Sequence, residues 1–158
     1  MKKVLITGGS GFIGSNLIEF LLKKKIKIFN IDKISKISTP EKFKPKSKNY
    51  FFKKFNLNKK YDLKKLINKE NFDFIIHLAA ESHVDRSIDS PKKFFLSNIT
   101  SSVNLYDVIK ILIVKKKIKK PKIIHISTDE VYGSVPFGSS IETSKIFTSS
   151  PYSSSKAA

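Results

Sequence analysis

The chain has 158 residues, 40 % of them apolar, enough for one domain with a real core. It lacks cysteine, which excludes disulfides and thiolate metal sites, and it holds no apolar run near the ~20 residues of a membrane span. The net charge of +18 is carried by lysine, with Arg86 the single arginine, whereas nucleic-acid recognition favours the guanidinium fork, so no nucleic-acid or membrane partner is expected. Residues 2–7 read as a short buried strand, too brief to be the apolar core of a secretory signal, and a cytoplasmic protein is expected. A helix follows over 12–24, with Ile13, Leu17, Phe20 and Leu21 at helical spacing, and then a second strand over 26–32 that ends on Asp32. After a lysine- and serine-rich loop with Pro40 and Pro45 come a third strand over 50–56, a short helix over 61–68 and a fourth strand over 72–80. The longest helix is expected from Pro91 to about residue 116, with Phe95, Ile99, Val103, Tyr106, Ile109 and Ile113 on one face. A fifth strand, expected to be buried, covers 122–127. A polar loop over 133–150 leads to Ser150-Pro151, a helix cap followed by proline at the first helical position.

Strands separated by helices of this length need crossover connections, hence an α/β fold with a parallel sheet covered on both faces. Ligands in such sheets sit at the carboxyl ends of the strands, and the motifs fall there. Thr7-Gly8-Gly9-Ser10-Gly11-Phe12-Ile13-Gly14 joins the first strand to the first helix. Glycines at this spacing permit a tight turn and let a pyrophosphate reach the helix N-terminus. Asp32, at the end of the second strand, can hold both ribose hydroxyls and would repel a 2′-phosphate, so NAD is expected over NADP. Ser127-Thr128-Asp129-Glu130 sets an acid pair at the end of the fifth strand, suited to proton transfer. Tyr152 and Lys156 lie four apart on the last helix, hence on one face, where a tyrosine and a cation suit proton abstraction from an alcohol. His77, His83 and His125 form no metal set; the first and last fall in strands.

With those residues the chain resembles an extended short-chain dehydrogenase/reductase, and more narrowly the dTDP-glucose 4,6-dehydratases. The resemblance rests on the glycine turn, on Leu78-Ala79-Ala80-Glu81-Ser82-His83-Val84-Asp85-Arg86-Ser87-Ile88, on Ser127 through Gly133, and on Ser150-Pro151-Tyr152 through Ala158. It implies a Rossmann-type doubly wound parallel sheet over 1–158, truncated before the final strands and a C-terminal substrate domain. The family reaction is a hydride cycle on a nucleotide sugar such as dTDP-glucose: oxidation at C4, loss of water across C5 and C6, and return of the hydride to C6. By this resemblance Tyr152 would take the 4-hydroxyl proton and Lys156 would favour its phenolate. Glu130 would take the C5 proton, Asp129 would protonate the leaving hydroxyl, and Thr128 would bind the 4-oxygen. The cofactor would lie along Gly8, Gly11, Phe12, Ile13 and Gly14, with Asp32, Lys33, Ile34 and Ser35 at the adenine ribose. Leu78, Ala79, Ala80, Ser82 and Ser97 would follow it, Tyr152 and Lys156 would border it, and Ser82 with Thr128 would touch substrate.

Two positions depart from the family pattern. Asn56-Leu57 stands where Asp-Ile is usual, which implies weaker adenine selectivity, and Ser97 replaces threonine. The resemblance also implies a homodimer for a full-length parent, paired through helices near Val103 and Tyr152. The 158 residues by themselves are expected to show no dehydratase turnover. Three other readings stay open: a non-catalytic remnant that binds NAD, a related sugar-nucleotide epimerase or decarboxylase, and a basic nucleic-acid-associated protein.

Overall fold

A computed structural model describes residues 1–34 and 45–158. Ser35, expected at the adenine ribose, and Pro40 of the lysine- and serine-rich loop lie outside the described residues. The backbone divides into two compact units, Met1–Ala79 with Asn104–Ile126, and Ala80–Val103 with Ser127–Ala158.

The first unit holds a five-stranded parallel sheet of order β3-β2-β1-β4-β5, built from β1 (Lys3–Thr7), β2 (Lys27–Asp32), β3 (Tyr50–Lys54), β4 (Phe74–His77) and β5 (Lys122–His125). This is the strand order of a Rossmann-type sheet, whose direction of winding reverses between β1 and β4. Alternation along the strands sends side chains to two separate cores. Leu5, Phe29, Ile31 and Ile75 pack with Leu63 and Ile67 of α2 (Lys60–Glu70) and with Leu105, Val108, Ile109 and Leu112 of α5 (Ser101–Val114). Val4, Ile6, Ile28 and Ile76 pack on the opposite face with Leu17, Ile18, Leu21 and Leu22 of α1 (Phe12–Lys23). Helices thus cover both faces. Each fully buried Leu or Ile contributes about 2 kcal/mol to that arrangement.

Three expectations need correction. The inward stripe of α1 is Gly14, Leu17, Ile18, Leu21 and Leu22, while Ile13 and Phe20 are exposed, at 60 % and 56 %. β5 is not buried: all four of its residues are exposed, because it is the last strand of the sheet and pairs only with β4 among the described residues. The long helix is interrupted. After α3 (Val84–Asp89) and the single turn α4 (Pro91–Phe94), Phe95–Thr100 winds as a π-helix before α5 begins. A π turn accommodates extra backbone and rotates everything after it, so Phe94, Asn98, Ser101, Leu105, Val108 and Leu112 point inward while Phe95 and Val103 face solvent.

The second unit is small and unusually polar inside. Its buried side chains include Glu81, Ser87, Asn98, Ser101, Ser150, Ser153 and Ser155, and its buried hydrophobics among the described residues are Phe94 and Val131. Around the short helix α6 (Pro151–Ala157) pack α3, α4, the π segment and a 3-10 turn, Asp129–Tyr132. Among the described residues no helix is long and apolar enough to cross a membrane, and no group of three His, Cys, Asp or Glu is placed to hold a metal ion.

Candidate functional site

In the first unit the chain leaves β1 through a turn whose glycines do different work. Gly8 has φ +75°, and a Cβ there would lie 2.6 Å from the Ala79 amide nitrogen, so the turn after β1 and the strand end of β4 touch backbone to backbone. A Cβ on Gly14 would lie 2.5 Å from Gly9 Cα, so α1 can seat against the turn only without a side chain there. A Cβ on Gly11 would meet only Gly8 O, at 3.4 Å, so its outer side opens away from the packed turn. Gly11 is also the N-cap of α1 and supplies no side-chain cap, so the first amides of the helix remain available to an anion. Phe12 and Ile13, 83 % and 60 % exposed, flank this opening. Without side chains on these three glycines the turn stays close to β4 and open in front of the helix N-terminus.

Asp32 closes the same half-site from β2. Its carboxylate accepts the Ser10 amide at 3.1 Å and the Ile34 amide at 2.7 Å, which ties the end of β2 to the glycine turn. Ile34 sits at φ +57°, costly for a β-branched residue, and the bond from its amide to Asp32 holds it there. Lys33 is exposed beside it. The amide of Phe55 donates to Asp32 O at 2.7 Å and so brings Asn56 and Leu57 next to this corner. The Asn56 carboxamide oxygen accepts from the Asn58 amide at 3.0 Å, a turn into α2, while Leu57 is buried in the core below. Leu78 and Ala79 leave β4 beside Gly8, and the Ala79 amide donates to the Thr7 hydroxyl at 3.3 Å.

The second unit carries Thr128, Asp129, Glu130, Tyr152 and Lys156, the residues expected to do acid–base chemistry. Thr128 is the N-cap of the 3-10 turn. Its hydroxyl donates to Asp129 Oδ1 at 3.2 Å, and the Glu130 amide is shared between Thr128 Oγ1 at 3.3 Å and Asp129 Oδ1 at 3.1 Å. The two carboxylates differ in environment, Asp129 being exposed and Glu130 half-buried. The Phe147 amide returns to Val131 O at 2.9 Å, and a Cβ on Gly133 (φ +72°) would strike Phe147 O at 2.3 Å, so the loop 134–149 closes on the turn at a glycine.

The helix α6 packs on that turn and is held by more than its own hydrogen bonds. Ser150 accepts the Ser153 amide at 3.0 Å while Ser153 Oγ accepts the Ser150 amide at 3.0 Å, a reciprocal cap. The Tyr152 amide donates to Ser87 Oγ at 3.0 Å, and the Tyr152 ring meets Phe94 edge-on at 6.2 Å. Lys156 is half-buried, and desolvation lowers the pKa of its ammonium group from the ordinary 10.5.

Asn98, missed in the sequence, joins two stretches that carry predicted site residues. Its Oδ1 accepts the Glu81 amide at 2.7 Å, and its Nδ2 donates to Glu81 O at 3.0 Å and to Ser155 Oγ at 2.9 Å. One carboxamide thus clamps the Ala80–Glu81–Ser82 backbone and the helix of Tyr152 and Lys156. Glu81 is itself buried and pairs with Lys93 at 3.3 Å. Ser97, beside Asn98, lies in the π segment, whose Ser97 and Asn98 carbonyls accept the Ser101 and Ser102 hydroxyls. The signal for Asn98 was a lone carboxamide in an apolar helical stripe, hidden by the unforeseen change of register. His83 stands at φ +113° next to the exposed Ser82.

Asn98→Ala is expected to cost about 2–4 kcal/mol, because it removes three buried hydrogen bonds and strands the Glu81 amide. Urea unfolding, with hydrogen exchange at the Glu81 amide, measures it. A loss under about 0.5 kcal/mol, the level of an ordinary surface substitution, would contradict the clamp.

The sequence profile of the family described as GDP-mannose 4,6 dehydratase matches residues 5–158. A probable dTDP-glucose 4,6-dehydratase of Sinorhizobium fredii is 35 % identical over 162 residues, which cover 99 % of this chain and 46 % of that protein. The solved dTDP-glucose 4,6-dehydratase of Streptomyces venezuelae with NAD bound superposes with a TM-score of 0.87 at 31 % identity, over 98 % of this chain and 48 % of the other. The UDP-Glc/GlcNAc 4-epimerase of Campylobacter jejuni superposes with a TM-score of 0.85 at 31 % identity, over 99 % of this chain and 46 % of the other. The chain therefore spans about half the length of the relatives it matches.

Proposed function

The chain belongs to the GDP-mannose 4,6 dehydratase family of NAD-dependent sugar-nucleotide enzymes, and on that premise we propose that it carries the cofactor-binding and acid–base residues of a dTDP-glucose 4,6-dehydratase. The observation that carries this reading is the packing of the Thr128–Asp129–Glu130 turn against the helix of Tyr152 and Lys156 within one unit. A tyrosine base alone serves oxidation and reduction of an alcohol; an adjacent acid pair adds what elimination of water needs. The 4-epimerase likeness in fold does not call for that pair.

NAD, when bound, would supply the hydride acceptor for C4 of the sugar and the hydride donor for C6. Gly11 and the first amides of α1 would hold its pyrophosphate, and Asp32 would hold the adenosine ribose. In the second unit Tyr152 would accept the 4-hydroxyl proton, with Lys156 stabilising the phenolate by its charge. Thr128 would bind the resulting 4-carbonyl oxygen. Glu130, half-buried, would remove the proton at C5 that the carbonyl has made acidic, and Asp129 would give a proton to the departing C6 hydroxyl. The C5–H and C6–O bonds break, a C5–C6 double bond forms, and water leaves; the later addition at C6 and reprotonation at C5 restore saturation. The nucleotide sugar and a homodimeric assembly are the partners this reading requires.

The cofactor assignment has a direct test. NAD should bind between about 10- and 100-fold more tightly than NADP, since Asp32 would face the added phosphate, and Asp32→Ala should narrow the ratio. Titration calorimetry on the 158-residue chain decides it. Equal affinity for the two nucleotides, or affinity for neither, would overturn the assignment.

A further inference from the structure

At the carboxyl ends of β1, β4 and β5 runs a polar row that the steps above leave unused. Thr7 is in register with His77, and His77 with His125. They continue, two residues on, the sheet face whose Leu5 and Ile75 pack under α5. His77 is 1 % exposed, and its Nδ1 lies 2.6 Å from the Thr7 hydroxyl. The Ala79 amide donates to that same oxygen at 3.3 Å. The His77 ring centroid is 4.8 Å from that of His125, whose Nδ1 is 2.8 Å from the Tyr106 hydroxyl.

A buried hydroxyl that already accepts an amide and lies this close to a ring nitrogen is best satisfied by donating its own proton to that nitrogen. We propose that His77 is a positioning residue of the nucleotide half-site: neutral, with its proton on Nε2, it accepts from Thr7 and fixes the junction from which the glycine turn and Leu78–Ala79 depart. The consequence for affinity rests on the NAD reading; the hydrogen bond itself does not. Protonation of His77 places N–H at both ring nitrogens, so Nδ1 must donate to Thr7 and the Thr7 hydroxyl loses its acceptor. The strain passes to Ala79 and from there to Gly8, whose backbones are in contact.

Titratable groups beside His77 include His125 from β5 and Tyr106 from α5, with ring centroids 4.8 Å and 6.3 Å away, and β1 brings the Thr7 hydroxyl. Burial raises the Tyr106 pKa, so the phenol stays neutral wherever histidines titrate. A proton on His125 would place positive charge beside His77 and so disfavour a proton there.

The chain has three histidines, so each imidazole signal can be assigned by single replacement. The experiment follows imidazole and Ala79 amide nitrogens by NMR, and NAD affinity by titration, from about pH 8 to about pH 5, the interval around the ordinary histidine range. At the upper end His77 Nδ1 should be unprotonated. Toward the lower end the Ala79 amide should shift and NAD affinity should fall about tenfold, the size of one lost buried hydrogen bond. His77→Asn offers an amide oxygen near the position of Nδ1 and does not titrate, so both slopes should flatten. Thr7→Val should lose about tenfold in affinity at every pH, while Thr7→Ser should keep the wild-type slope. A proton on Nδ1 at neutral pH, or an Ala79 amide that titrates alike in wild type and His77→Asn, would overturn the proposal. Absence of NAD binding throughout would overturn the cofactor reading instead, and the wild-type Nδ1 and Ala79 signals would then decide the role of His77 without any variant.

Discussion

Gly11→Leu is expected to weaken NAD binding by about a hundredfold or more while leaving the thermal midpoint within about 3 °C of the wild type. The two outcomes separate because a Cβ at Gly11 meets only one atom, Gly8 O at 3.4 Å, so the added side chain need not displace the fold. It instead fills the space in front of the first amides of α1, where by the proposed reading a pyrophosphate would approach. Gly14→Ala makes the contrast. Its methyl would sit 2.5 Å from Gly9 Cα and 2.6 Å from Gly8 O, both backbone atoms that cannot swing aside. Either α1 lifts from the sheet or the turn opens, at a cost of about 2–4 kcal/mol, with binding lost as a consequence. Calorimetric titration paired with thermal melts of the two variants distinguishes the roles. If Gly11→Leu bound NAD as the wild type does, the pyrophosphate would not lie at this turn.

Much of this was legible in the sequence because it is local. Strand and helix alternation, the glycine turn, Asp32 at a strand end and the Ser150-Pro151 cap each follow from a few consecutive residues. What failed was what depends on distant parts of the chain. Lys122 through His125 has the composition of a buried strand, yet its exposure is set by its position at the sheet edge, which no window of sequence contains. Phe95 and Val103 fit a helical stripe at uniform pitch, but the π turn between Phe95 and Thr100 shifts the stripe to Phe94, Asn98 and Leu105. The serines that satisfy the widened turn, Ser101 and Ser102, are visible only after the turn is known.

The last helix teaches the same lesson in reverse. With seven residues, α6 falls below the ~12–15 at which an isolated helix becomes marginal. That criterion applies to peptides in water. Here Ser87, Asn98, Phe94 and the reciprocal Ser150–Ser153 cap hold the helix from outside, and tertiary contacts replace the missing length. Of these residues Ser150 announces its role in the sequence as a helix cap, whereas Ser87, Asn98, Ser153 and Ser155 read there as polar background.

Glu130→Gln is expected to slow elimination by about 10²–10⁴-fold in a hybrid that joins this chain to the remaining length of a dehydratase relative. Glutamine keeps the shape of the side chain and the Glu130 amide keeps its bonds to Thr128 Oγ1 and Asp129 Oδ1, so the turn should survive. What disappears is a basic oxygen able to take the C5 proton. In the proposed reaction oxidation at C4 would depend on Tyr152 and Lys156, which the substitution does not touch, so reduced nicotinamide should accumulate and its absorbance should rise on mixing with dTDP-glucose. Asp129→Asn should slow release of the C6 hydroxyl as well, but less, because Asp129 is exposed and water can stand in as the proton donor. Stopped-flow absorbance with product analysis reads both steps in one experiment. Normal turnover by Glu130→Gln would remove Glu130 from the role of C5 base. A C4-inverted sugar with no 4-keto product from the unmodified hybrid would favour an epimerase instead, and would leave the acid pair as a structural element of the 3-10 turn.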